Sequence, residues 1–202
     1  MKIRLLLISI LLTGLICLTY IQWSNIQTNK KELNNLRNSY YLFSDANQKS
    51  NNALLKGVPF FCFSLPDSEG SIWNLSDIQA NIKVFILFSE KDCSTCLQEY
   101  ILWKKINNTY DKSEVQILGI SHDLEINSLV NFKEKRRIEF PILHDPKDIV
   151  RKNMGLLNSP LRVTLNKFNE IIEIEKSDSN LDGQKRYLKQ LKNWLFDVGT
   201  NQ

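Results

Sequence analysis

Cys93 and Cys96, in the run Cys93-Ser94-Thr95-Cys96, are the residues of this 202-residue sequence best placed to do covalent chemistry. They follow the apolar run VFILF at 84–88 and open a helical pattern, LQEYILWKKI. Free N–H groups and the positive dipole at a helix start favour a thiolate over a thiol, so Cys93 is the expected nucleophile. Cys96, three residues further on, can reach the same sulfur and resolve a mixed disulfide, letting the pair cycle between dithiol and disulfide. Lys91 would assist the thiolate and Asp92 would oppose it.

The spacing alone leaves half of a zinc site and a static disulfide open. Zinc needs further ligands, and beyond the apolar N-terminal run only Cys62, His122 and His144 remain, none at ligand-like spacing from another. No metal and no cofactor is therefore assigned. A static disulfide would suit an oxidising compartment. Cys62 alternates with Phe61 and Phe63 and reads as a small buried core residue. His122 and His144 read as strand-end and turn residues. Glu90 and Glu99 are the carboxylates nearest in sequence; each reads first as a solvated charge and second as a candidate for proton transfer.

The elements that must hold these cysteines alternate in type. Strand patterns at 60–65, 83–88, 115–121, 162–165 and 171–175 interleave with helical patterns at 95–107, 125–137, 147–154 and 181–196, the mark of an α/β layer fold. Residues 84–88 are apolar at every position, as in a central strand covered on both faces. In the last helix Leu188, Leu191, Leu195 and Val198 step by three and four, giving one buried stripe.

The start of the chain carries a different signal. From Leu5 to Ile21 no residue is charged, and with its flanks this run reaches about 20 residues, enough to cross a hydrocarbon layer of about 30 Å. Lys2 and Arg4 precede it, which orients the N-terminus to the cytoplasm, with Tyr20 and Trp23 at the far interface and the remaining chain outside. No small-x-small site follows, favouring an uncleaved anchor over a removed signal peptide. Ile16 rather than a small residue precedes Cys17, so Cys17 reads as a membrane-facing side chain and not as a lipid attachment point. The organisation expected is a transmembrane anchor at 1–23, a polar, partly helical stalk at 24–56 and one domain at 57–198. Lys2 and Arg4 aside, the basic residues nearly balance 22 acidic ones, which argues against a nucleic-acid partner.

Several pieces in order carry a resemblance: GVPFFCFSLPDSEGSIWNLSDI at 57–78, VFILFSEKDCSTCLQE at 84–99, ILGISHD at 117–123, FPILHDP at 140–146 and MGLLNSPLRVTLNKFNEII at 154–172. Together, residues 57–176 resemble the redoxin (AhpC/TSA-like) branch of the thioredoxin superfamily. That branch includes alkyl-hydroperoxide-reductase-type peroxiredoxins and membrane-anchored thiol–disulfide oxidoreductases of cytochrome maturation. The resemblance implies a thioredoxin-like fold, a central mixed sheet flanked by helices. It implies that Pro160 is the cis-proline beside the cysteines, and that the backbone at Ser159 pairs with an extended client chain. Its clients would be protein thiols or disulfides, with a membrane electron donor if the chain works as a reductase.

Some positions depart from the family pattern. Ile86 and Glu90 stand where peroxidatic members resemble one another in carrying Pro and Thr or Ser, which argues against peroxidase chemistry. Leu87 stands where related enzymes carry a buried acid, Asp92 replaces the Trp often found before the motif, and Thr95 the usual Pro within it. The reading favoured is an extracytoplasmic, membrane-tethered thiol–disulfide oxidoreductase. The alternatives are a binding or assembly module with a static disulfide and a peroxiredoxin-like peroxidase.

Overall fold

The computed structural model describes residues 19–20, 22–33, 52–92, 99–156, 159–177 and 180–200. Cys93, Cys96 and most of the apolar run at 5–21 lie outside them. The chain divides into two units, Met1–Asn47 and Gln48–Gln202. In the first, residues 22–33 are helical and exposed, with the Tyr20 and Trp23 rings 6.3 Å apart. Among the described residues no helix is long and apolar enough to cross a membrane.

Among the described residues, the second unit is built on seven strands. β1 (Ser64–Pro66) and β2 (Ile72–Asn74) form an antiparallel hairpin. The other five, β3 (Ile82–Phe88), β4 (Val115–Ser121), β5 (Ile142–His144), β6 (Leu161–Asn166) and β7 (Ile171–Lys176), form one sheet in the order β5-β4-β3-β6-β7. β3, β4 and β5 run parallel, while β6 is antiparallel to both β3 and β7. The helices are α1 (Tyr100–Thr109), α2 (Ile126–Arg136), α3 (Ile149–Asn153) and α4 (Leu181–Thr200). This is the α/β thioredoxin-like arrangement expected from the sequence, a mixed sheet flanked by helices.

Every residue of β3 is buried, which explains why it is almost wholly apolar: both sheet faces are covered. Phe85 and Leu87 point into a core shared with Phe60, Phe63 and Leu65 from the first stretch and Val150 from α3. Val84, Ile86 and Phe88 point into the opposite core, with Trp103 and Ile106 of α1, Leu129 of α2, and Tyr187 and Leu191 of α4. Lys83 is the exception in the strand. Its ammonium is satisfied by the Lys167 carbonyl at 3.1 Å and Asn169 Oδ1 at 2.6 Å, while burial lowers its pKa.

Two expectations need correction. Cys62 is exposed, not a core residue, because 60–63 is not a strand. Phe60 and Phe63 turn inward three residues apart, and the intervening Phe61 N–H meets Met154 Sδ at 3.2 Å, so period-two alternation does not apply there. Glu99 is not a solvated charge: it is fully buried. The compact unit also takes in residues ahead of 57, since Asn52 donates to the Ile174 carbonyl at 3.3 Å and Leu55 packs on the core.

α2 ends in a Schellman motif, with the Ile138 N–H on the Lys133 carbonyl and the Arg137 N–H on that of Glu134. The left-handed residue this motif requires is Arg137, φ 52°, where glycine is usual and a side chain costs about 1–2 kcal/mol.

Candidate active site

Strand register brings three chain segments to one end of the sheet. Phe88 pairs with Ser121 and Leu87 with Leu161, so the turn after β3, the turn after β4 and the residues entering β6 all lie at the carboxyl end of β3. In open α/β sheets this end, where neighbouring connections diverge, is where ligands and chemistry gather. Cys93 and Cys96 belong to the connection from this end of β3 to α1, outside the described residues.

The residues leading to the motif are fastened by Asp123 from the end of β4 and, through their own Asp92, by Ser159 ahead of β6. Asp123, just beyond β4, accepts the Ser89 hydroxyl at 2.5 Å and the Glu90 N–H at 2.9 Å. Burial alone would raise its pKa, but these donors hold it below the ordinary value. Asp92, the residue before Cys93, accepts the Ser89 N–H and the Ser159 hydroxyl, both at 2.7 Å on Oδ2. The Ser159–Pro160 bond is cis, as the resemblance implied, and β6 begins at the next residue. Asp92, which replaces the family's tryptophan, thus ties the residues before the motif to the cis-proline turn. Glu90 is exposed on this turn and contributes only its backbone to the hydrogen bonding.

On the other side of the motif the arrangement is ionic and sealed. Glu99 forms a buried ion pair with Arg162, which is 3% exposed and also meets Glu175 at 2.5 Å. The Arg162 guanidinium carbon lies 3.5 Å above the Tyr187 ring, and the Tyr187 hydroxyl meets Thr164 Oγ1 at 2.9 Å. Burial works against the Arg162 charge, but Tyr187, Glu99 and Glu175 together hold its pKa above the usual value; burial pushes the Tyr187 phenol up to about 12. Glu173, also raised by burial and then by Glu175, completes this acidic rim. Leu87, at the position of the related enzymes' acid, is buried in the opposite core. The buried carboxylate nearest the motif in sequence is therefore Glu99, at the N-cap of α1.

Sequence reasoning missed Asp123, Ser89 and Arg162. His122 and His144 do not come together with other ligands, and among the described residues no group of three His, Cys, Asp or Glu could hold a metal. What this end of the sheet does is tie residues 89–92, just before the motif, to the end of β4 and to a cis-proline turn.

The AhpC/TSA family matches residues 57–174, more than half of the chain. A curated relative, "Putative peroxiredoxin bcp" of Coxiella burnetii, is 26% identical over 95 residues, 47% of this chain and 62% of that protein; the chain thus spans less than two thirds of its relative's length. Two solved structures share the fold at 18% identity. One is the "putative Thiol:disulfide interchange protein DsbE" of Chlorobium tepidum, TM-score 0.63, covering 69% of this chain and 97% of that one. The other is the peroxidoxin BcpB of Mycobacterium tuberculosis, TM-score 0.58, covering 71% and 97%. By the family match over the domain that carries the motif, this chain belongs to the AhpC/TSA family, a redoxin family within the thioredoxin superfamily.

Proposed function

We propose that the chain is a thiol–disulfide oxidoreductase acting on protein clients, with Cys93 as nucleophile and Cys96 as resolving thiol. The observation that carries this reading is the Ser159–Asp92 hydrogen bond, which joins the cis-proline turn to the residue immediately before Cys93. A client's extended chain paired beside Ser159 and Pro160 would present its sulfur to that cysteine.

The reaction runs in two steps. The Cys93 thiolate attacks one sulfur of a client disulfide, forming a mixed disulfide and expelling one client thiolate. The Cys96 thiolate then attacks Cys93 Sγ, releasing the second client thiol and leaving Cys93 and Cys96 joined. Two electrons pass to the client, and a dithiol-bearing membrane donor restores the pair; with a dithiol client every step reverses. Protons move through solvent or through Glu90, because Glu99 is buried and engaged by the Arg162 guanidinium. Glu99 is better suited to fixing α1 than to carrying protons.

The apolar run at 5–21, preceded by Lys2 and Arg4, supports a single-pass anchor with the domain outside the cytoplasm. Alkaline extraction of membranes and protease access to intact cells or spheroplasts test it. Release of the chain by alkali, or a domain shielded from protease, would exclude that topology.

For the chemistry, the expected result is that the Cys96→Ser chain accumulates mixed disulfides with cellular proteins, reversible by dithiothreitol and absent from the Cys93→Ser chain. No adducts, together with no turnover of a model disulfide by the wild type, would sink the proposal. Fast Cys93-dependent peroxide consumption without disulfide exchange would replace it with a peroxidase.

A further inference from the structure

An open groove of about 670 Å³ lies between α1 and α2, lined by Tyr100, Lys104, Phe132, Lys135, Arg136 and Arg137. It holds four cations and no carboxylate. Among the described residues none of the four forms an ion pair, whereas Lys133, one turn back on α2, pairs with Glu69 at 2.6 Å. Arg136 instead lies 5.0 Å from the centre of the Phe132 ring and 5.7 Å from that of Tyr100. A guanidinium resting on ring faces keeps its N–H fork free to meet a carboxylate with two parallel hydrogen bonds.

The helix dipole accounts for part of this charge, since Lys133, Lys135 and Arg136 sit in the last turn of α2. It does not account for Lys104, which comes from α1, nor for the presence of any side chain at the left-handed position of Arg137, where glycine is usual. Like charges gathered without acids repel one another, and an incoming anion removes that repulsion.

Which anion follows from where the groove lies. Its α1 wall begins at Tyr100, four residues after Cys96 in the sequence. It is concave and lined by cations, one of them held against the ring faces, which suits acidic side chains of a polypeptide that reach the guanidinium and ammonium groups. The geometry points to a client-docking site: the groove takes a client segment rich in Asp or Glu close to the client's reactive cysteine. This rests on the oxidoreductase reading above and adds the client's chemistry to it.

The test uses the full chain in nonionic detergent, wild type and K135E/R137E, both substituted residues being exposed. The probes are a disulfide peptide flanked by glutamates, its glutamine counterpart, the small neutral 2-hydroxyethyl disulfide, and a labelled, cysteine-free glutamate peptide followed by fluorescence anisotropy. The expected result is a kcat/KM about five- to tenfold higher for the glutamate than for the glutamine peptide at low salt, lost in the variant and at high salt. Turnover of 2-hydroxyethyl disulfide should be the same in both chains, and the cysteine-free peptide should bind wild type only.

Equal rates for the two peptides, with no anisotropy change, overturn the proposal even if the neutral disulfide is turned over. Binding of the cysteine-free peptide without any disulfide turnover keeps the groove and removes the redox reading. Lys135- and Arg137-dependent sedimentation with vesicles of phosphatidylcholine and phosphatidylglycerol, with no preference between peptides, overturns it in favour of a lipid-facing surface.

Discussion

The two flanks of the cysteine motif are held in opposite ways. Before it, residues 89–92 are fixed by hydrogen bonds from hydroxyls and backbone N–H groups to Asp123 and Asp92, in a turn that still meets solvent. After it, Glu99 is clamped by Arg162 inside the protein, with Tyr187 closing one guanidinium face. The first kind of restraint is modest per bond and adjustable; the second is costly to build and more costly to break. One flank can yield as a client arrives, and the other anchors α1 to the strand that begins beside Pro160.

That contrast predicts a hierarchy of effects. Arg162→Met should be the most damaging, because it leaves Glu99 buried without its cation: about 3–5 kcal/mol of stability. For a domain of this size that is roughly 10 °C in Tm, read by circular dichroism. The double change R162M/E99Q should recover much of the loss; if it unfolds as readily as the single variant, the ion pair is not the anchor.

Asp123→Asn should cost less, about 1–2 kcal/mol, and slow disulfide exchange more than it lowers Tm. The sign of its pH dependence is set by the lowered pKa. The folded chain binds this proton less readily than the unfolded chain, so the stabilisation is complete above the ordinary 3.8 and disappears as pH falls through the lowered value. The variant should therefore show a flatter acid limb in urea denaturation.

Glu173 has the opposite sign. Its raised pKa stabilises the fold below the ordinary 4.5, and that contribution is lost as pH rises through the raised value. Glu173→Gln should flatten the decline between acid and neutral pH, a smaller effect, seen in the same titrations. Glu69→Gln, which breaks the exposed pair with Lys133, should change stability by less than about 1 kcal/mol. A loss comparable to that of Arg162→Met would erase the distinction between sealed and solvated restraints.

How legible this was in the sequence depended on length and on which interaction fixed each residue. β4 is legible at its observed bounds and β3 to within a residue, because a seven-residue stretch dominated by Val, Ile, Leu and Phe has few other uses in an α/β layer fold. β5, three residues long, stayed hidden: it lies between Pro141 and Asp145-Pro146, and its surroundings read as turn. The cis-proline came from resemblance, not from periodicity. Glu99 carried a signal that passed unused: it stands three residues before Leu102, four before Trp103 and seven before Ile106, on the stripe that α1 buries. Arg162 offered no such sign, since a buried cation in a strand is explained only by the acids that distant elements bring to it. Asp92 was visible as a departure from the family, but its use needed the Ser159 hydroxyl, 67 residues away in sequence.

The stretch from Gly57 to Asp67 does more than fill the core. Its first residues pair with the start of β7, through the Gly57 N–H and Ile171 carbonyl and the Ile171 N–H and Val58 carbonyl, and its last bridges to Leu143 on β5. One strap thus shields part of both outer strands of the five-stranded sheet. Outer strands with bare N–H and C=O groups recruit other chains, so the strap is a guard against self-association as well as packing. A domain trimmed from its N-terminus through Asp67 would lose both guards together and bare one core face, inviting edge-to-edge aggregation. Because Asn52 and Leu55 already dock on that unit, a soluble fragment made for biochemistry should begin ahead of them.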